Sequence, residues 1–192
     1  MRIAVISETS AGHRNADILA AFEGCGHEIL NVGMTERGAR PELSYIHTGL
    51  MTAILLNLKL VDFVVCGCGT GQGYLNSAMQ YPGVFYGHIL NDLDAWLFAR
   101  INTGNCILLA LNQGYGWAGE VNLRFIFDRL FSNELGAGYP LQRATPQKEF
   151  RTKLMDVSKA THRTFPEIIN ALPDDFLLPA IEYPAMKDLL EI

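Results

Sequence analysis

A glycine-rich stretch that contains two cysteines, CGCGTGQG, follows an apolar run. Cys66 ends the apolar run and is expected to point into the core, and Cys68 lies between Gly67 and Gly69. Glycines let the backbone approach a ligand closely, and N–H groups at the start of a helix can bind an anion. The stretch therefore predicts a site for negative charge with a thiol beside it. By its position alone, Cys68 is either a small buried filler or a reactive thiol.

The spacing of the glycines excludes three familiar motifs. A Walker A loop requires a Gly-Lys pair, which is missing, and the dinucleotide fingerprint G-x-G-x-x-G follows a first strand rather than a third. A nucleophile elbow requires G-x-S-x-G with an ordered triad, and no triad follows here. The C-x-C pair could begin a zinc site, but no second Cys or His cluster supplies the remaining ligands, so no metal is expected.

Alternating strand and helix segments must position this stretch. The predicted strands are RIAVIS, HEILNVG, VDFVVCG, GVFYGHIL and NCILLAL, with helical segments between them. This order predicts an α/β fold, a doubly wound, Rossmann-like, five-stranded parallel sheet with helices on both faces. Residues 1–145 form that domain, and residues 146–192 form a C-terminal helical extension packed on the core or on a partner subunit. The glycine stretch then lies at the carboxyl end of the third strand, where such sheets bind ligands.

Composition narrows the class of protein further. The chain has 192 residues, 49% of them hydrophobic, and a formal net charge of −5 without a basic stripe, which argues against a nucleic-acid partner. The apolar runs are of strand length, so no membrane span is expected. The N-terminal run reads as a first strand rather than a signal peptide. Four cysteines in a large hydrophobic chain without an export signal predict free thiols and a cytoplasmic location.

The glycine stretch resembles the family of ribose-5-phosphate isomerase B and the galactose-6-phosphate isomerase subunits. The core of the resemblance is CGTGQG at residues 68–73. Weaker anchors agree in order and spacing: Glu8 after the first strand, SYIHTG at 44–49, NTGN at 102–105 and Arg143 in LQR. The resemblance covers about residues 1–145 and implies a sugar-phosphate isomerase domain. It also implies a homodimer or homotetramer with shared active sites, and no metal or organic cofactor.

The resemblance also implies a role for each matching residue. Cys68 is the base that removes the proton beside the substrate carbonyl, and a helix N-terminus would lower the pKa of its thiol. Thr70 relays a proton between the two substrate oxygens. The N–H groups of the loop glycines stabilise an enediolate; these glycines are Gly69, Gly71 and Gly73. Asn102 and Arg143 contact the substrate.

Glu8 ends the first strand on the ligand side of the sheet. It is expected to bind a substrate hydroxyl, and the alternative is a carboxylate that holds its own loop together.

Several family positions carry other residues in this chain. The ring-opening histidine is replaced by Ile101, which transfers no proton, and Arg143 alone remains of the phosphate-binding arginines. His13 and Arg14, at a predicted helix start, are candidate substitutes for the phosphate contacts, or His13 for the acid; the alternative is a solvated helix start. His88 lies inside a predicted strand and is expected to be a satisfied core histidine.

Three hypotheses follow from these residues. The first is an aldose–ketose isomerase acting on a sugar phosphate. The second is an isomerase of a different, unphosphorylated or open-chain sugar, which the missing histidine and arginines suggest. The third is a non-catalytic protein that binds a sugar or sugar phosphate on the same scaffold. The pairing of Cys68 with Thr70 argues against the third, since binding alone does not require it.

Overall fold

A five-stranded parallel sheet forms the centre of the computed structural model, which describes residues 1–191. Its strands are β1 (Arg2–Ser7), β2 (Glu28–Asn31), β3 (Phe63–Cys68), β4 (Tyr86–Ile89) and β5 (Cys106–Ala110). They lie in the order β2-β1-β3-β5-β4, and every neighbouring pair is parallel. The predicted sheet is confirmed, with β4 at one edge because it pairs with β5 and not with β3.

Helices cover both faces of the sheet, as the doubly wound pattern predicts. They are α1 (Asn15–Ala21), α2 (Tyr45–Asn57), α3 (Gln72–Ala78), α4 (Asp92–Leu97) and α5 (Gly119–Phe131). One apolar core lies between the sheet and α2 with α3, and a second lies between the sheet and α1, α4 and α5. Each face of the sheet is thereby removed from water, which is the principal stabilising contribution in such folds.

Strand β3 carries the candidate thiol and is buried along its whole length. Val64 and Cys66 face the first core, whereas Phe63 and Val65 face the second, so the run has no polar alternation. Cys68 is the last residue of β3 and not part of the loop, which corrects the boundary expected from the sequence. The reason is continued pairing, because the Cys68 carbonyl accepts a hydrogen bond from the N–H of Leu111 at 2.8 Å.

The C-terminal extension is helical throughout most of its length. It contains α6 (Ala144–Thr161), α7 (Phe165–Ala171), α8 (Asp174–Ile181) and α9 (Pro184–Leu190). Helix α7 begins with a capping box, in which the Thr164 N–H donates to Glu167 at 2.9 Å. Helix α8 packs on α2, and Ala180 and Met186 are fully buried in the first core. The extension therefore covers the α2 side of the domain.

Helix α6 differs from its neighbours because none of its residues is buried. Phe150, Leu154 and Val157 are each more than half exposed. Arg151 anchors the helix through hydrogen bonds to the carbonyls of Ile101 at 2.7 Å and Gly136 at 2.9 Å. Ile101 belongs to a π-helical turn, Phe98–Asn102, that continues α4. No helix among residues 1–191 is long and apolar enough to cross a membrane.

Candidate active site

The glycine loop, residues 69–73, directly follows Cys68 at the end of β3 and lies where the sheet reverses its winding. From β1 the chain passes to β2 on one side and then to β3 on the other, so the carboxyl ends of β1 and β3 are neighbours. Ser7 of β1 pairs directly with Gly67 of β3. Ligands of open α/β sheets bind in the crevice at such a switch point. The fold therefore places the glycine loop beside the first loop, residues 8–14.

Glu8 joins the two loops. Its side chain is only 3% exposed, and its carboxylate accepts hydrogen bonds from the N–H groups of Gly69 at 3.2 Å and Ser10 at 2.9 Å. The Ser10 hydroxyl also bonds to Glu8, and it accepts from the Gly69 N–H at 2.9 Å. Glu8 thus has the loop-holding contacts foreseen as the alternative, and a contact with a substrate hydroxyl stays a prediction. The N–H of Gly69 is already engaged within the protein.

Cys68 lies at the centre of this arrangement and is 5% exposed. Burial, and next the neighbouring Glu8 carboxylate, raise the pKa of the Cys68 thiol above its ordinary value. The N–H groups of Tyr74, Gly71 and Thr70 donate to the sulfur and lower that pKa, but the raising causes are larger. The expected net depression of the pKa is therefore wrong. Its cause, a row of N–H groups at the start of α3, is nevertheless present.

Cys66 has a different environment two residues earlier. It is fully buried, and its sulfur lies 3.3 Å from the Tyr86 hydroxyl and 3.8 Å from that of Thr52. Burial raises the pKa of the Cys66 thiol to about 11. The prediction that Cys66 belongs to the core is confirmed.

Close neighbours explain why the loop consists of glycines. A Cβ at Gly73 would lie 2.9 Å from the Tyr45 ring, so the tyrosine that begins α2 packs against the loop backbone. Gly71 has a φ of +80°, a conformation that L side chains rarely adopt, and a Cβ there would lie 2.9 Å from Nε2 of His88. The glycine loop is therefore a tightly enclosed turn as well as a row of N–H donors.

Thr70 is exposed at the outer side of this turn. Its hydroxyl accepts a hydrogen bond from the N–H of Gln72 at 3.4 Å, and its carbonyl accepts from Gln113 at the same distance. Gln113 follows β5, so three strand ends contribute to the site.

His88 is not the satisfied core histidine expected from the sequence. Its Nε2 is buried and has no hydrogen-bond partner among residues 1–191. Its ring also lines a cavity of about 780 Å³ between α3, β4, the π-helical turn and α6. Sequence reasoning missed its proximity to Gly71, because the two residues are in contact only through the pairing of β4 with β5. An apolar strand interrupted by one histidine was the available signal.

Arg14 and His13 differ in their availability to a ligand. His13 is exposed. The Arg14 guanidinium forms an ion pair with Asp17 at 3.1 Å and donates to the carbonyl of Tyr115. Arg14 thus connects the first loop to the segment before α5, and its charge is balanced by a carboxylate. Phosphate binding by either residue stays a prediction.

Asn102 and Arg143 lie away from the glycine loop. Asn102 ends the π-helical turn that precedes β5, whereas the glycine loop follows the carboxyl end of β3. Cys68 pairs with Ala110 at the far end of β5, about 13 Å of strand from Cys106. Arg143 is exposed and immediately precedes α6. Within residues 1–191 it has no hydrogen bond or ion pair to the glycine loop.

The described residues therefore divide the predicted site into two groups. Residues brought together at the carboxyl edge of the sheet are Glu8, Cys68, Gly69, Thr70, Gly71 and Gly73. Asn102 and Arg143 lie at the amino edge. Nowhere in residues 1–191 do three or more His, Cys, Asp or Glu side chains form a group that could hold a metal ion.

A comparison with protein-family models identifies a family, and a comparison with curated sequences does not. A family model described as Ribose/Galactose Isomerase matches residues 3–131. The comparison with curated protein sequences gave no match.

Solved structures resemble the chain over most or all of its length. A ribose-5-phosphate isomerase from Vibrio parahaemolyticus is 42% identical, with a TM-score of 0.94 over 100% of this chain and 92% of that one. A 4-deoxy-L-threo-5-hexosulose-uronate ketol-isomerase, complexed with a tartrate, is 35% identical, with a TM-score of 0.91 over 98% and 91%. Ribose-5-phosphate isomerase B from Clostridium thermocellum is 20% identical, with a TM-score of 0.68 over 84% and 100%, and shows the fold alone.

Proposed function

The chain belongs to the ribose/galactose isomerase family, and from that premise we propose that it interconverts an aldose and a ketose through a cis-enediolate with Cys68 as the base. That it is a sugar isomerase follows from the family and from two closely similar isomerases. The observation that carries the finer proposal is the set of N–H groups around the Cys68 sulfur, at the switch point of the sheet. Such donors stabilise the negative charge that a base of this kind must carry.

Each step of the proposed reaction uses a group of this loop. The Cys68 thiolate takes the proton from the carbon beside the carbonyl, and the electron pair moves to the carbonyl oxygen, forming the enediolate. Thr70 relays a proton between the two oxygens. The thiol then returns its proton to the neighbouring carbon, so the product is the isomeric sugar and the cysteine is regenerated.

Gly71 and Gly73 are the proposed donors to the enediolate oxygens. The Gly69 N–H already donates to Glu8 and Ser10, so its contribution is to hold the loop rather than to meet the substrate. Because burial raises the pKa of Cys68, the thiolate is a minor form at neutral pH. The reaction should therefore accelerate as the pH rises toward the pKa of this thiol.

A second copy of the chain is proposed to complete the site. Asn102 and Arg143 lie at the opposite edge of the sheet from Cys68, and the resemblance implies a homodimer or homotetramer with shared active sites. In such an assembly the amino edge of one copy faces the glycine loop of the other, so the substrate contacts both. Four free cysteines, one of them exposed, are compatible with the reducing cytoplasm proposed as its location.

Two substrate classes remain candidates. A sugar phosphate is supported by the similarity to a ribose-5-phosphate isomerase, with Arg143 as the phosphate ligand. An unphosphorylated or open-chain sugar is favoured by a specific observation, the neutralisation of Arg14 by Asp17, and by the non-ionisable Ile101 at the ring-opening position. The similar ketol-isomerase is named for a uronate without phosphate.

Solvent deuterium exchange tests the proposal directly. Matched free and phosphorylated pentoses and hexoses, together with a hexosulose uronate, are incubated with the enzyme in D₂O, and deuterium beside the carbonyl is measured by NMR. We expect exchange for at least one sugar and a loss of about a thousandfold or more in Cys68→Ala. Near-normal exchange in that variant would refute the role of Cys68, and the sugar preference decides between the two substrate classes.

Two controls accompany that experiment. Cys25→Ser removes an exposed thiol and should leave exchange unchanged. Circular dichroism should show that Cys68→Ala folds normally, since one buried sulfur is lost from a site that remains enclosed. Tight sugar binding without any exchange in the unmodified protein would support a non-catalytic binding protein instead.

A further inference from the structure

His88 lies on the sheet side of the glycine loop. A Cβ at Gly71 would lie 2.9 Å from the His88 Nε2 and 3.5 Å from the Cβ of Ala110, so ring and loop backbone are in contact above the sheet. The nitrogen is buried and unpartnered within the described chain. None of the roles assigned to the site so far uses this side chain.

Gly71 connects this imidazole to the reacting group. The Gly71 N–H is one of the backbone groups that lower the pKa of the Cys68 thiol. Gly71 is also the residue before α3, and its φ of +80° turns the chain into that helix. The position of this one residue therefore determines where the N–H points. His88 occupies the space on the sheet side of Gly71 and therefore blocks a displacement of Gly71 in that direction.

A histidine at position 88 makes the fold less stable than an apolar side chain of similar volume would. A buried imidazole nitrogen without a partner loses its hydrogen bonds to water, whereas an apolar side chain of similar volume loses none. The next residue of β4, Ile89, is apolar and buried. Buried polar groups in folded proteins nearly always have a hydrogen-bond partner. Residues that lower the stability of the fold are retained mainly at functional sites.

We propose that His88 is a positioning residue of the Cys68 site, which supports Gly71 from the sheet side and keeps its N–H directed at the sulfur. The polar Nε2 is part of this role, because it lies against the loop backbone at Gly71. The predicted effect on turnover rests on the proposed function. The predicted effect on the reactivity of the Cys68 thiol does not, because it can be measured without a substrate.

Two substitutions at His88 separate polarity from volume. His88→Leu fills the space without a polar atom, and His88→Gln places an amide nitrogen near the position of Nε2. We expect His88→Leu to lower kcat by about tenfold with KM changed by less than about twofold, and His88→Gln to keep at least about half of kcat. The thermal midpoint of His88→Leu should equal or exceed that of the unmodified protein.

Alkylation of Cys68 provides a measurement that needs no substrate. In a Cys25→Ser background the remaining thiols are Cys66, Cys68 and Cys106, and only Cys68 has any exposed surface. Iodoacetamide labelling followed by peptide mass spectrometry therefore reports the reactivity of Cys68. We expect slower labelling in His88→Leu, because the backbone at Gly71 then loses the polar group that faces it and its N–H is less well directed at the thiolate. Labelling in His88→Gln should be near normal.

His162→Leu is the matched control. His162 lines the same cavity from α6, and its Nδ1 lies 2.8 Å from the Ser158 carbonyl. It has no contact with Gly71 among the neighbours of that residue. Its kcat and its labelling of Cys68 should therefore match those of the unmodified protein.

The outcomes distinguish this proposal from the proposed function. Normal kcat and normal labelling in His88→Leu would overturn the role of His88, and so would a loss of activity matched by a loss of thermal stability. Equal losses in His88→Leu and His88→Gln would show that the polar atom has no role. If no sugar exchanges deuterium even in the unmodified enzyme, the proposed function fails, and the labelling rates alone decide the role of His88.

Discussion

The two edges of the parallel sheet differ in how completely they are assembled. At the carboxyl edge, the first loop and the glycine loop are joined by Glu8 and Ser10, and the Cys68 sulfur is surrounded by N–H donors. At the amino edge, Asn102 is exposed and beside a wide cavity, and α6 has no buried residue. The comparison shows that hydrogen bonds within a single chain connect the two loops at the carboxyl edge, whereas the amino edge is an exposed surface.

The difference follows from how each edge is built. A strand followed by a short turn and a helix fixes neighbouring N–H groups from local sequence, so the glycine loop is complete once β3 and α3 have formed. The amino edge depends on the π-helical turn and α6, which are connected through Arg151 and expose Phe150, Leu154 and Val157. Exposed apolar groups of this kind mark surfaces that bind a partner. This is the basis for proposing that a second copy covers them.

Subunit complementation gives the largest expected effect on this comparison. Cys68→Ala and Asn102→Ala should each be impaired, the first by about a thousandfold and the second by about ten- to a hundredfold. When the two variants are unfolded together and refolded, a shared site pairs an intact Cys68 with an intact Asn102. Random mixing should then restore about a quarter of the exchange rate of the unmodified enzyme.

The same refolding experiment can contradict the proposal that each site contains residues of two copies. Activity no greater than the average of the two variants would mean that each site is built from one copy. Full activity in Asn102→Ala alone would mean that the amino edge does not contact substrate. Refolded mixtures of each variant with itself are the controls for losses on refolding.

Much of the carboxyl edge is predictable from sequence because its determinants are local. The five strands, the buried Cys66 and the loop at a ligand-binding strand end all follow from apolar runs and glycine spacing. The family follows from six consecutive residues, 68–73, with weaker anchors elsewhere.

The remaining features depend on contacts between distant segments, which one sequence does not reveal. Burial and the Glu8 carboxylate outweigh the N–H donors at Cys68, and that balance of causes is a property of the folded environment. The unpartnered His88 depends on the lateral order of β4 and β5. The exposure of α6 depends on which segments pack against it. Its charged sequence shows that the helix is polar but does not show which of its residues are covered.

Replacement of Gly71 by alanine should have the next largest effect. It tests whether the tight packing of the glycine loop at the carboxyl edge is required for activity. The new Cβ meets Nε2 of His88 at 2.9 Å, and the φ of +80° is strained for alanine. We expect kcat to fall by about a hundredfold, because the N–H leaves the sulfur. Gly114→Ala is the matched control: its φ is +77°, but no atom lies within 4 Å of its Cβ. It should lose stability and keep most of its activity.

Arg143→Ala sharpens the comparison from the amino edge. If an exposed Arg143 of one copy binds the phosphate at the site of the other, the variant should raise KM for a phosphorylated sugar by about ten- to a hundredfold with little change in kcat. KM for the matched unphosphorylated sugar should not change. Equal KM changes for both sugars would assign Arg143 to the interface rather than to the phosphate. Arg129→Ala, on α5, is the control for loss of one arginine.

Glu8→Gln has the smallest expected effect and separates the two functions of the carboxyl edge. The Glu8 carboxylate raises the pKa of Cys68, so removing its charge lowers that pKa and increases the thiolate fraction at a given pH. In a Cys25→Ser background, labelling of Cys68 near neutral pH should become a few times faster, and its rise with pH should move to lower values. Glutamine keeps an oxygen that can accept from the Gly69 N–H, so the loop should remain closed.

Turnover in Glu8→Gln should respond differently from labelling. If Glu8 also binds a substrate hydroxyl, KM should rise while labelling accelerates, because charge is lost from a contact that only the substrate makes. Glu23→Gln, at the exposed end of α1, is the control and should change neither rate. Slower labelling in Glu8→Gln would mean that the carboxylate acts on Cys68 mainly by holding the glycine loop, and the raised pKa would then have burial as its sole main cause.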